Sequence, residues 1–182
     1  MRIVLAGTFA AAAAAAPAGA FAVDYLTIDQ AAHLMFPDAD RFEQREVVFD
    51  AAQLQALDAQ GVRGRSARWP VQIARHGDAT LGFVVADAVI GKFELISYAV
   101  GIDSEGAIHQ VEILSYRESH GGEVRLPAWR RQFVGKTVDA PLRVGEDIAN
   151  ISGATLSCTH VTEGVRRIVA VVALARRSGS LG

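Results

Sequence analysis

Ser152, Thr155, Ser157 and Thr159 crowd the stretch "NISGATLSCTHVTEG" (150–164), just ahead of a run of apolar residues at helical spacing. Hydroxyls around the first turn of a helix meet free backbone N–H groups and the positive end of the helix dipole, a setting that favours an anion such as phosphate. Gly153 allows a tight approach and a positive φ, and the small Ala154 leaves room beside Thr155 for a bulky group. The same residues also suit an ordinary helix start, with Ser157 or Thr155 as the cap. Spacing alone favours the cap.

Other chemistries lack their residues. "CTH" (158–160) has no second cysteine to make a haem attachment site, and the five histidines, at 33, 76, 109, 120 and 160, have no spacing suited to a closed metal site. No metal is expected. There is no glycine-flanked serine nucleophile after a strand, and no phosphate loop with its lysine. The sixteen arginines, with Lys92 and Lys136, are scattered along a chain of net charge -2, so nucleic acid is not an expected partner.

The elements that must position the hydroxyls can be read from periodicity. Val161, Val165, Ile168, Val169 and Val172 make one stripe of a C-terminal helix, and Gly164 inside it costs about 1 kcal/mol of helix propensity relative to alanine, which implies close approach of another backbone or a ligand. Ahead of it, residues 71–77, 79–90, 96–103 and 108–119 read as four strands joined by tight turns, hence a mostly antiparallel sheet. Leu126, Trp129 and Phe133 mark a short helix closed by Gly135. Near the N-terminus, Thr27 and Gln30 form a capping box for a helix stopped by Pro37; a short strand at 45–49 and a second helix from Asp50 to about Ala59 follow. The glycine- and arginine-rich "GVRGRSARWP" (61–70) reads as a loop and the one linker, dividing an N-terminal helical cap from a β-rich body.

Residues 1–22 carry an early Arg2, an alanine-rich apolar run and small residues before Ala20 and Ala22, the layout of a secretory signal peptide. Export is expected, with an uncleaved membrane anchor as the alternative. Cys158 is the single cysteine, so an exported chain relies on its core alone.

"SGATLS" (152–157), running into the valine-rich helix, resembles the flavinylation motif of the FMN-binding domain family, which includes subunits of the sodium-pumping NADH:quinone oxidoreductase and of the Rnf complex. In that motif the threonine after Gly-Ala carries FMN. The resemblance therefore implies a phosphoester at Thr155, installed by a separate flavin transferase. Upstream, Gly101, Asp103, Gly106 and Ile108, then Ile113, Leu114, Glu118 and Gly121, are similar to the family's "G-x-D-x-x-G-x-I" and "I-L-x-x-x-E-x-x-G" segments, and "AWRRQFVGK" resembles its "W-x-x-x-F-x-G" stretch. The likeness covers roughly residues 75 to 172. It departs at position 149, where Ala149 replaces the usual acid six residues before the threonine and the nearest acid is Asp147; Ser119 and His120 stand where threonine and proline are usual.

The resemblance implies an α+β fold: a mostly antiparallel sheet with flanking helices, a C-terminal helix starting at the SGAT motif and a small N-terminal helical extension. The expected divisions are a signal peptide (1–22), the extension (23–68), the FMN-binding domain (69–176) and a flexible tail (177–182). Its cofactor-binding residues would be Ser152, Gly153, Ala154, Thr155, Leu156 and Ser157, with Glu118, His120 and Gly121 forming a loop that faces the flavin. Ser157 and Thr159 would hold the phosphate, and Trp129 would flank the ring or belong to the core. The implied protein is a periplasmic electron carrier, more than an enzyme with its own substrate, and it has a membrane-bound redox partner. The alternatives are noncovalent FMN, a terminal reductase, or a flavin-free periplasmic binding or assembly module.

Overall fold

One antiparallel sheet in the order β1-β6-β5-β4-β3-β2 organises the chain in the computed structural model, which describes residues 23–181. The expected signal peptide lies outside the described residues. The strands are β1 (Val23–Asp24), β2 (Arg41–Val48), β3 (Arg68–His76), β4 (Ala79–Ile90), β5 (Leu95–Asp103) and β6 (Ile108–Tyr116). From β2 to β6 each strand pairs with the next in sequence. At the β5–β6 turn the Asp103 carboxylate accepts the N–H groups of Glu105, Gly106 and Ala107 at 2.8–2.9 Å, which fixes the "G-x-D-x-x-G" segment as a hairpin.

Both faces of the sheet are covered, which is why β4 reads as a nearly continuous apolar run. On one face Ile73, Val85, Val100 and Val111 share a core with Val161, Val165, Ile168 and Val172 of α4 (Thr155–Arg177) and with Leu57 of α2 (Ala51–Ala59). On the other, Ala31, Ala32, Met35 and Phe36, in and just after α1 (Ile28–Met35), pack on Ala74, Val84, Ala99 and Leu114. The α+β architecture and the C-terminal helix opening within the SGAT motif are as the sequence indicated.

The N-terminal stretch does more than cap. Besides α1 and α2, residues 23–68 supply both edge strands, and β2 starts at Arg41, four residues ahead of the apolar run, pairing along its length with β3. As an edge strand it is largely exposed, so "RFEQ", with Phe42 as its single apolar residue, shows no alternation. The 61–70 passage leads directly from α2 into β3. The helix expected around 126–133 is instead three short pieces: a 3₁₀ turn at Gly122–Arg125, α3 (Pro127–Arg130) and a second 3₁₀ turn at Arg131–Phe133. Trp129 and Phe133 are buried but Leu126 is exposed. Beyond α4, the chain folds back far enough to bury Leu181 in the core, within the stretch expected as a flexible tail.

Candidate functional site

The start of α4 differs from the cap the sequence favoured. Its N-cap is Ala154, and no side chain accepts a hydrogen bond from the first turn. The Cys158 N–H is the first to reach a helical acceptor, Ala154 O at 2.9 Å. The N–H groups of Thr155, Leu156 and Ser157 therefore point out of the helix end without a protein acceptor among the described residues. Neither Thr155 nor Ser157 caps, because each hydroxyl is used elsewhere.

Ser157 turns inward and is buried, with Oγ 3.1 Å from the Tyr116 hydroxyl at the end of β6. Tyr116 in turn donates to the His120 carbonyl, so its one proton is spoken for and Ser157 is the donor of the pair. Burial pushes the Tyr116 hydroxyl up from its ordinary range, and it stays protonated in that role. The contact pins the 117–122 loop against the helix start. Gly121, at φ +85°, sits where a Cβ would come 2.8 Å from Tyr116 Oη, 3.1 Å from Ala154 Cβ and 3.3 Å from Ser157 Oγ. Only a glycine there, facing an alanine at 154, lets loop and helix meet this closely.

Thr155 faces outward and is exposed, and its Oγ1 accepts from Asn150 Nδ2 at 3.0 Å. Beside it Gly153, at φ +83°, has open space where a side chain would stand. A cavity of about 400 Å³ follows, lined among others by Ser119, His120, Gly121, Ser152 and Gly153, with both the Arg125 guanidinium and the Glu123 carboxylate on its wall. Leu156 is exposed, and Thr155, Leu156 and Thr159 do not line the cavity. Of the expected residues, Ser152, Gly153, His120 and Gly121 line the cavity, Ala154 and Ser157 pack against Gly121 beneath it, and Thr155 follows at the first position of α4.

Glu118 has a different partner. Its carboxylate accepts the N–H groups of Phe93 and Glu94 at 2.5 and 2.9 Å, bracing the β4–β5 turn. Burial raises its pKa, but the N–H groups of Glu94, Phe93 and Lys92, together with the Lys92 ammonium, outweigh this and hold it below the usual carboxylate range. His160 of α4 secures the same turn, with Nδ1 at 2.6 Å from Ile90 O and 3.0 Å from Gly91 O, so Nδ1 carries a proton. The braced turn presents Phe93, 74% exposed, on the outside.

The loop ahead of the motif is equally fixed. Gln132 accepts the Ala149 N–H and Trp129 Nε1 donates to the Ala149 carbonyl, both at 2.8 Å. Trp129 is therefore a core residue, edge-on to Phe133, and does not flank the cavity. Asp147 does not stand in for the missing acid at 149. Its carboxylate accepts the Leu142 and Arg143 N–H groups and pairs with Lys136 at 3.0 Å; burial raises its pKa, while these donors bring it below the ordinary value.

Three site residues carried no usable signal in the sequence. Tyr116 looked like the end of a strand, Arg125 like one scattered arginine among many, and Asn150 like a loop residue five positions before Thr155. Among the described residues no three His, Cys, Asp or Glu side chains gather as a metal site, and no helix is long and apolar enough to cross a membrane.

Residues 91–170 match the FMN-binding domain family. A subunit of the ion-translocating oxidoreductase complex of Aliivibrio fischeri (strain MJ11) is 27% identical over 121 residues, covering 58% of this chain and 56% of its own length. A subunit of the Na(+)-translocating NADH-quinone reductase of Vibrio anguillarum is 27% identical over 147 residues, covering 68% and 57%. The chain spans a little over half the length of these curated relatives. Among solved structures, the corresponding Na(+)-translocating NADH-quinone reductase subunit of Parabacteroides distasonis has a similar fold, with a TM-score of 0.53 at 18% identity, covering 79% of this chain and 81% of that one.

Proposed function

From a chain whose residues 91–170 are an FMN-binding domain related to subunits of two ion-translocating redox complexes, we propose an exported electron carrier with FMN joined to Thr155. The observation that carries this reading is the α4 start: three N–H groups without a protein acceptor among the described residues, no capping side chain, and an exposed threonine hydroxyl two residues beyond Gly153, which lines a cavity. A helix end built for stability alone would be capped. One that receives a phosphate leaves its donors free.

The residues present fit the group. The N–H groups of Thr155, Leu156 and Ser157 and the dipole of a 23-residue helix would balance a phosphate, while the Arg125 guanidinium on the cavity wall is offset by Glu123 on the same lining. Asn150 donates to Thr155 Oγ1, which leaves the threonine proton directed away from the loop, where a transferase base can remove it. The linkage joins Thr155 Oγ to the FMN phosphorus with net loss of one water. Gly153 leaves open space two residues before Thr155. When bound, FMN supplies the redox chemistry, and the chain contributes retention, orientation and exposure.

The partners follow from this reading. They are a separate flavin transferase, a membrane-bound redox protein, and an extracytoplasmic compartment reached through the 1–22 leader, where a covalent bond prevents loss of the cofactor. Coexpression with a flavin transferase tests it. Acid-denatured chain should stay yellow, with a mass increase equal to FMN less water that is absent in Thr155→Ala. Colour released on denaturation would mean noncovalent FMN, and a colourless chain would mean a flavin-free module.

A further inference from the structure

We propose a second binding site, for a small organic anion bearing carboxylate or phosphate, in a cleft of about 530 Å³ between the loop that leaves α2, the end of β4 and the middle of α4. The arginines that look scattered in sequence meet here. Arg63 and Arg65 come from the 61–66 loop, and Arg166 and Arg167 from α4.

Their partners decide what the cleft can do. Arg167 is spent on Asp87, with Nη2 and Nε at 2.6 and 3.1 Å from one carboxylate oxygen. Arg166 and Arg65 are anchored only to main-chain carbonyls: Arg166 Nη2 to Gln60 O and Gly61 O at 2.8 and 3.1 Å, and Arg65 Nη1 to Ala88 O at 2.8 Å. A carbonyl anchor fixes a guanidinium without cancelling its charge, and it leaves further N–H groups to receive an oxyanion. Arg63 has no ion-pair partner among the described residues, and neither does Glu163, the one carboxylate lining the cleft.

Two positive charges are therefore left in excess at one concave point of a chain whose net charge is -2. Guanidiniums held in place beforehand lose little freedom when they bind. Val62 and Val89 add an apolar wall, which suits an organic anion. The loop carrying Arg63 and Arg65 lies outside the residues matched to the FMN-binding domain, so the site is assembled between that domain and the preceding stretch. It borders His160, five residues or about 7.5 Å along α4 from Thr155. The site needs no flavin to exist.

Isothermal titration of the full chain at low ionic strength, with succinate and with inorganic phosphate, tests this directly. Saturable binding is expected, weakened about tenfold in Arg63→Gln and in Arg166→Gln, as loss of a charged hydrogen bond predicts, and strengthened in Glu163→Gln. The stronger of the two ligands identifies the headgroup. Arg63 and Glu163 are exposed, so opposite shifts in those two variants support the site even if Arg166→Gln unfolds. No saturable heat with either anion, or affinities equal in wild type, Arg63→Gln and Glu163→Gln, would overturn it.

Discussion

The start and the middle of α4 lie within three turns of each other and are built on opposite terms. At the start, three N–H groups and the Thr155 hydroxyl face outward, uncapped, whereas the much shorter α1 and α2 each carry a complete capping box, Thr27 with Gln30 and Asp50 with Gln53. In the middle a polar cluster satisfies its own hydrogen bonds. Asp87 and Tyr98 are cross-strand neighbours; the Tyr98 hydroxyl donates to Asp87 at 3.1 Å, Arg167 closes over the same oxygen, and Gly164 lies directly on the tyrosine. Burial and the Asp87 charge push the Tyr98 hydroxyl far above its ordinary range, so it is a permanent donor. The fold can seal a polar cluster and can cap a helix. That it does neither at Thr155 is the contrast on which the proposed attachment rests.

The largest effect should come from the sealed region. A Cβ at Gly164 would fall 1.9 Å from Tyr98 Oη, so Gly164→Ala must displace a buried, hydrogen-bonded network. Overpacking at the upper end of its usual range, offset by about 1 kcal/mol of helix propensity, should cost about 2 kcal/mol in urea denaturation. A cost below about 1 kcal/mol would mean the middle of α4 has slack and the contrast is false. Next come the caps: Thr27→Ala and Asp50→Ala should each lose about 1 kcal/mol.

A smaller, pH-limited effect belongs to Glu118, which ties the β4–β5 turn. The folded chain favours its charged form, so its contribution is complete above the unfolded-state pKa of about 4.3 and is lost as pH falls through the lower folded value. The Tm difference between wild type and Glu118→Gln should be constant near neutral pH and shrink in the acid limb. A difference that grows with acid would show that the turn is not held by the carboxylate.

How much of this was legible depended on whether a residue acts through its neighbours in sequence or across the fold. Strands β3 to β6, the α1 capping box and the stripe of α4 obey local periodicity and were readable. Edge strand β2 was cut short because exposure erased its alternation. Gly164 announced a close approach, but the approaching group, Tyr98, lies 66 positions away in the chain and could not be named. Thr155 is marked in the sequence by its motif. Tyr116, Arg125 and Asn150, which order the loop, line the cavity and hold the hydroxyl, become site residues only once β6 and the 149–154 loop are brought together. For Glu118 the motif marks the residue, and what the sequence does not reveal is that its carboxylate accepts the Phe93 and Glu94 N–H groups across the fold.

The smallest expected change is the most informative. Thr155→Ala removes one exposed hydrogen bond from Asn150 and puts a better helix former at the first helical position, so its stability should stay within about 0.5 kcal/mol of wild type. Thr27→Ala removes the same atoms from a helix start and should lose about 1 kcal/mol. Measured side by side without flavin, the pair tests whether a hydroxyl at the start of α4 is there for the fold. If Thr155→Ala costs as much as Thr27→Ala, the α4 start is an ordinary structural terminus and loses its claim to be a reserved site. If it costs nothing while it abolishes acid-stable flavin, structure does not need the residue that chemistry does, as expected of a hydroxyl kept for attachment.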